Sequence, residues 1–181
     1  MIETRSIVRA ALFAALIAAL GLVPRVDVPI AAGVPITAQT LGVILAGLLL
    51  GARVGAAAVL LYLFVVALGA PLLSGGRGGV GVFFGPTAGY LIGWIFGAAA
   101  VGFLMQKLPI ASIFMRALVA SLIGGVFVIY LFGIPYLAFV ARLTLDKAFL
   151  AGAVFLPGDI LKAVLAALVA KSYFASRAAI K

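Results

Sequence analysis

The chain contains no cysteine and no histidine, and only four of its 181 residues are acidic. Without cysteine there is neither a disulfide framework nor a thiol nucleophile. Without histidine there is no imidazole acid–base chemistry, and the usual donor set of a structural zinc site is missing. No G-x-x-x-x-G-K-[ST] phosphate loop occurs, so the chain is not by itself an ATPase of that type, and no H-E-x-x-H occurs either. No apolar segment carries the paired carboxylates that acid–base or aspartyl chemistry needs. The inventory points away from an enzyme and toward binding or transport, with neither metal nor cofactor called for.

What the chain has is apolar surface. Hydrophobic residues make up 67% and charged residues 9%, and the mean hydropathy is +1.40. A soluble domain is nearer half apolar and a quarter charged. A lipid bilayer solvates such a chain, water does not. Each spanning helix takes ~20 mostly apolar residues. The expectation is an all-α integral membrane protein of six transmembrane helices, one domain over residues 1–181. The net charge of +9 and pI near 10.5 do not mark a nucleic-acid partner, because the cations lie at helix ends and form no basic tract. The first apolar stretch follows Arg5 and Arg9, has no convincing cleavage site and is one of several like it, so it reads as a retained helix.

The expected helices run from Ile7 to Val23, Ile36 to Leu50, Val54 to Leu68, Pro86 to Leu104, Ser112 to Phe132 and Pro157 to Ala170. The second and sixth are short for a full span and should be tilted or helped by re-entrant neighbours. Between Pro135 and Phe155 a mixed stretch with Arg142, Asp146 and Lys147 suggests an interfacial helix. With the N terminus inside, the cytoplasmic side holds Arg5, Arg9, Arg53, Lys107, Arg116, Lys171, Arg177 and Lys181. The outer side holds Arg25, Arg77, Arg142 and Lys147. This bias places both termini in the cytoplasm and the protein in the cytoplasmic (inner) membrane as a multi-pass chain. Two small-residue rows mark the first helix, Ala10, Ala14 and Ala18 beside Ala11, Ala15 and Ala19. A third joins Gly47, Gly51 and Gly55. Such rows serve close packing in the bundle or docking of a partner. No repeat points to two inverted halves.

Of the four acidic residues, Glu3 sits at the terminus and Asp27 and Asp146 in outer loops. Asp159 opens an apolar helix, and Lys162 shares its face. Charge within a span is costly and usually has a role. A helix start, with Pro157 in the first turn, accounts for Asp159. It does not account for Lys162, since a cation there opposes the helix dipole. Ligand binding and an internal ion pair both stay open. Gly76, Gly78 and Gly81 match G-x-G-x-x-G formally, but the flanks are membrane helices, without the strand and helix that a dinucleotide site requires. Gly76, Gly78 and Gly79 could instead let backbone approach a ligand, with Arg77 as a carboxylate partner or as a solvated loop residue. Tyr90 and Trp94 share a face of the fourth helix. Trp94 reads as packing, whereas Tyr90, nearer the glycine loop, could line a pocket. Gln39 and Thr40 bond either a neighbouring helix or a ligand.

The segments Val34–Val43 and Leu45–Gly51, the loop Gly75–Val82, the stretch Gly85–Gly93 and Leu156–Lys162 follow one another in an order that resembles the BioY family over essentially the full chain. Ala88 departs from that pattern, in which glycine is common, and should be tolerated. The resemblance implies a biotin-specific S component of an energy-coupling-factor (ECF) transporter, capturing biotin outside and handing it inward. It implies docking on a transmembrane coupling protein driven by two cytoplasmic ATPases, with Ala10, Ala14 and Ala18 as the docking row. Some family members are thought to act alone, and a homo-oligomer stays open. The ligand chemistry fits: a carboxylate (Asp159) suits the ureido N–H groups and an ammonium (Lys162) the ureido oxygen. The glycine loop would lie over the bicycle with Tyr90 beside it, Arg77 would meet the tail carboxylate, and the Pro24–Pro35 loop would be a lid. An S component for another small vitamin, a scaffold subunit and a membrane enzyme are the alternatives.

Overall fold

The computed structural model describes residues 4–27 and 29–179; Glu3 and Lys181, both used above, lie outside them. Among the described residues the backbone is helical, with no strands and two isolated antiparallel bridges, Val26–Ile36 and Leu73–Arg77. The helices are α1 (Thr4–Leu20), α2 (Gln39–Leu50), α3 (Ala52–Ala67), α4 (Ala88–Lys107), α5 (Ile113–Ala141), α6 (Leu145–Ala153) and α7 (Leu156–Ala179). By length and apolar composition α4 and α5 can each cross a membrane. The pair α6 and α7, bent by 50°, meets the same measure together, while α2 and α3 are apolar but shorter. Large apolar side chains such as Leu12, Phe64, Phe103, Phe127 and Phe139 face outward, as a bilayer-solvated bundle requires.

The centre of the bundle is α4, which packs on α2, α3 and α5. Its row Gly89, Gly93 and Gly97 makes this possible. A Cβ at Gly93 would lie 2.8 Å from the Ile129 carbonyl, and one at Gly97 2.9 Å from that of Gly124. Helices that gain no hydrophobic drive from lipid associate through such close backbone contact. Where α5 meets α4 and α2 it widens into a π-helical stretch, Ser121–Val128. The Ser121 hydroxyl back-bonds to the Ala117 carbonyl there at 2.7 Å.

Most helix bounds lie within three residues of the sequence expectation, and two shift by nine. Helix α5 does not stop at Phe132 but runs through Pro135 to Ala141 and ends at Arg142, which is left-handed at φ 52°. A proline removes one backbone bond, yet apolar surroundings offer the flanking groups no partner better than the helix itself. The stretch from Pro135 to Phe155 is therefore the end of α5, a corner, and the short helix α6. Helix α7 passes Ala170 and continues to Ala179. Loss of hydropathy marks where apolar surroundings end, and helical hydrogen bonding has no reason to end there.

The two alanine rows of α1 differ in burial. Ala10 and Ala14 are buried inside the bundle and Ala18 is half-buried, because this face of α1 packs on α2 and α3. Ala11, Ala15 and Ala19 are the exposed row. The row of Gly47, Gly51 and Gly55 is internal too: a Cβ at Gly47 would lie 2.6 Å from the Ala98 carbonyl, and one at Gly55 2.8 Å from that of Ala46.

The two ends of the bundle have different character. At one, Leu49, Met105, Ala117 and Phe174 join a single apolar cluster, beside the α2–α3 turn at Gly51. At the other, the loops before α2 and α4 fold over the bundle, packing Val34, Leu73, Tyr90 and Phe155 together. The candidate site lies at this second end.

Candidate functional site

The polar centre is built at the start of α7. Pro157 sits in its first turn, where a missing N–H costs nothing, and the Asp159 amide donates to the Phe155 carbonyl at 2.9 Å. Asp159 is 6% exposed. Its Oδ1 accepts from Lys162 Nζ at 2.9 Å, and its Oδ2 accepts from the Tyr130 hydroxyl of α5 at 2.7 Å. Lys162 Nζ also donates to Thr40 Oγ1 of α2 at 3.0 Å. Three helices thus close one network of four side chains. An ion pair withdrawn from water persists when its remaining valences are satisfied. Here each carboxylate oxygen keeps a lone pair, the ammonium keeps one proton, and the Thr40 hydroxyl has a proton to give. The cluster can accept from N–H donors and donate to a carbonyl at once.

These residues border a cavity that is partly continuous with solvent. Its apolar walls come from Val34, Pro35 and Ile36 before α2, Leu91 and Trp94 on α4, and Ile129 and Phe155. Tyr90 is buried, and its ring stands edge-on to Tyr130 and to Phe155, each at 6.1 Å between centroids. Its hydroxyl has no hydrogen-bond partner among the described residues. Trp94, expected only to pack, does both: it lies 6.3 Å from the Tyr62 ring and lines the cavity.

Gln39 borders the cavity, but its amide is spent on the protein. Nε2 donates to Tyr62 Oη at 2.6 Å and lies 3.2 Å from both the Ile17 and Leu72 carbonyls. Oε1 accepts from the Ser74 amide at 3.0 Å. Of the two readings open in the sequence, the helix-bridging one describes these contacts. Gln39 ties α1, α2, α3 and the following loop together.

In the glycine loop only Arg77 reaches the cavity; Gly76, Gly78 and Gly79 are not among its lining residues. The glycines work through backbone shape. Leu73 and Arg77 exchange backbone bonds of 3.0 and 3.2 Å around a turn in which Gly75 and Gly76 have φ 81° and 69°, values that disfavour a side chain. Gly78 lies against the Ala70 carbonyl with no room for a Cβ. The turn sets Arg77 half-buried at the cavity rim. Burial, and then the neighbouring Arg25, hold its guanidinium below the usual arginine range.

The sequence model of the BioY family matches residues 1–179. The chain belongs to the BioY family. It is 52% identical to the biotin transporter BioY of Rhizobium etli, covering 94% of this chain and 93% of that one. Identity is 44% to the biotin transporter BioY of Rhodobacter capsulatus, over 93% and 92% of the two chains. Its fold matches the crystal structure of the S-component for biotin from an ECF-type ABC transporter, with TM-score 0.85, 32% identity and coverage of 93% and 90%. Four of the five BioY-like segments, scattered along the sequence, converge on one cavity. Val34–Val43 supplies Thr40 and part of the wall, the glycine loop Arg77, Gly85–Gly93 Thr87 and Tyr90, and Leu156–Lys162 the ion pair. Tyr130 was not anticipated. Its only sequence signal is a phenol within the apolar run of α5, and a lone tyrosine in a span reads equally well as packing.

Proposed function

We propose that this chain binds biotin at its outer end and carries it inward across the cytoplasmic membrane as a BioY-type S component. The observation that carries the reading is the buried Asp159–Lys162 pair bordering a cavity, fixed from two other helices by Tyr130 and Thr40. Biotin's ureido group offers two N–H donors and one carbonyl acceptor, which match the unused lone pairs of Asp159 and the unused proton of Lys162. The bicycle lies among the apolar walls, with Tyr90 beside it. Binding and release, with no covalent chemistry, is what this inventory of side chains supports.

The proposed topology is a single domain crossing the membrane six times, α6 and α7 together forming the last pass and both termini in the cytoplasm. The lysine and arginine bias supports it. So does the placing of the Arg25 and Arg77 loops beside each other at one end, with the Gly51 turn beside Gln106 at the other. ATP-driven uptake is assigned to a transmembrane coupling protein and two ATPase subunits. The face of α1 open to such a partner is Ala11, Ala15 and Ala19, not Ala10, Ala14 and Ala18.

The test is calorimetric titration of the purified chain with biotin, alongside a thermal-shift screen of other small vitamins. Stoichiometric biotin binding, weakened in Asp159→Asn and Lys162→Ala, is expected. Strong stabilisation by a different vitamin alone, or wild-type biotin affinity in both variants, refutes the assignment.

A further inference from the structure

A second hollow shares Tyr130 with the ligand cavity. It is a groove of about 490 Å³, within the size range of small-ligand sites. One wall is a stripe of α5, on which Leu122, Val126, Tyr130 and Ile134 recur every four residues. The opposite wall comes from Ala153 at the end of α6 and from Leu156 and Ile160 of α7. These two helices meet at a bend of 50°, so this wall does not follow one helix axis along α5. Ala153, with a single methyl group just before the bend, leaves room between the walls.

Three observations define what fits there. Among the described residues Tyr130 alone gives the groove a polar side chain, and its hydroxyl already donates to Asp159 Oδ2 at 2.7 Å. An ordered water needs two or more polar partners and finds none to spare. The groove also lies well inside the membrane-crossing helix α5, from Leu122 to Pro135. At 1.5 Å per residue that stretch is about 20 Å long, enough for the roughly 15 Å hydrocarbon depth of one leaflet. Finally, Phe127, Leu131 and Phe149 at the rim are exposed, so the groove opens sideways onto lipid. Dispersion contacts at such a wall need partner atoms, and an alkyl chain supplies them.

We propose that this groove binds one acyl chain of a bilayer lipid, which braces the Tyr130 ring while the Tyr130 hydroxyl holds Asp159. Lipid packing is thereby coupled to the polar centre through a single side chain. Tyr130 is a positioning residue, acting on the ligand through Asp159. The coupling rests on the biotin reading above; the lipid site does not.

The experiment places the full chain in nanodiscs containing a phosphatidylcholine with a photoactivatable diazirine on one acyl chain, and maps the labelled residues by mass spectrometry. Labelling should be several-fold greater at Phe127, Leu131 and Phe149 than at Phe103, an exposed side chain of α4 outside the groove. Ala153→Phe and the more exposed Ile160→Trp each fill the groove and should abolish the excess. Biotin titration of the delipidated chain in detergent, before and after the same lipid is added back, should show several-fold tighter binding with lipid. Ala153→Phe should lose that response because its ring takes the place of the chain. Tyr130→Phe should lose it too, since no hydroxyl then reaches Asp159, yet should still be labelled. Groove labelling no greater than at Phe103, or undiminished in both filled variants, overturns the lipid site. So does native mass spectrometry of a dimer in which these residues are shielded from the probe, since a second copy then covers the groove. Labelling as expected with a wild-type biotin affinity indifferent to lipid overturns the brace and leaves the biotin reading intact. A wild-type chain that binds no biotin with or without lipid overturns that reading and the coupling, while the labelling still decides the lipid site.

Discussion

Replacing Asp159 by asparagine tests the polar centre most directly, because it removes a charge and almost no volume. The Asp159 side chain is 9% exposed and its lysine partner 14%, at 2.9 Å, so solvent does little to replace what is lost. The amide oxygen can still accept from Lys162 or from Tyr130, but without a full charge to set against the ammonium. Breaking one side of a buried pair typically costs about 3–5 kcal/mol; since a bond to Thr40 at 3.0 Å remains, a loss near the bottom of that range, about 3 kcal/mol, is expected. Binding should suffer separately. Losing a charged acceptor for a ligand N–H costs roughly 1.5–3 kcal/mol, about ten- to a hundredfold in affinity. The double change Asp159→Asn with Lys162→Met separates the two effects. It removes the stranded ammonium, and apolar replacement of buried pairs is often neutral or better. Thermal unfolding of the detergent-solubilised protein, with and without biotin, and calorimetric titration read both quantities. The single variant should melt lower and bind weakly; the double should regain melting temperature and still fail to bind. If the double variant recovers biotin affinity, or the single variant loses neither property, the pair does not recognise ligand.

Three further outcomes follow from other contacts. Tyr90→Phe removes a buried hydroxyl with no partner among the described residues, so the ligand-free protein should gain about 1 kcal/mol; a loss, read by thermal unfolding, would mean that the hydroxyl is satisfied. Gln39→Leu leaves the Ser74 amide without its acceptor, while the Tyr62 hydroxyl keeps its bond to the Leu72 carbonyl at 3.1 Å; it should cost about 1–3 kcal/mol, measurable as a lower melting temperature and as faster proteolysis of the loop around Ser74. Gly97→Val would drive a side chain into the Gly124 carbonyl, which is 2.9 Å from even a Cβ, and should separate α4 from α5. Size-exclusion chromatography is expected to show a loss of monodisperse protein, and an unaltered profile would contradict the packing described.

Much of the site was legible before any tertiary contact was known. Asp159 and Lys162 stand out because charge inside an apolar helix is expensive, and their spacing of three puts them on one face. The helices themselves follow from hydropathy, apart from their ends. Tyr130 was invisible for a different reason. It is 29 residues from Asp159, and nothing local distinguishes its phenol from a packing aromatic. The glycine loop carries a second meaning that composition does not show: positive φ at Gly75 and Gly76 and tight packing at Gly78 have glycine shaping the turn that presents Arg77. For the alanines, two rows one residue apart carry the same composition, and helix rotation alone decides which is hidden.

By itself the sequence determined that this is a membrane-embedded helical chain with an aspartate and a lysine on one face of an otherwise apolar helix, because bilayer solvation and the cost of buried charge act on composition and on spacings of a few residues. Tertiary structure alone decided which groups complete that pair, which alanine row of α1 faces outward, that Gln39 spends its amide on the protein, and that Arg25 stands beside Arg77. Each of these depends on the rotation of a helix about its axis or on the meeting of residues tens of positions apart, and neither leaves a local pattern in the chain.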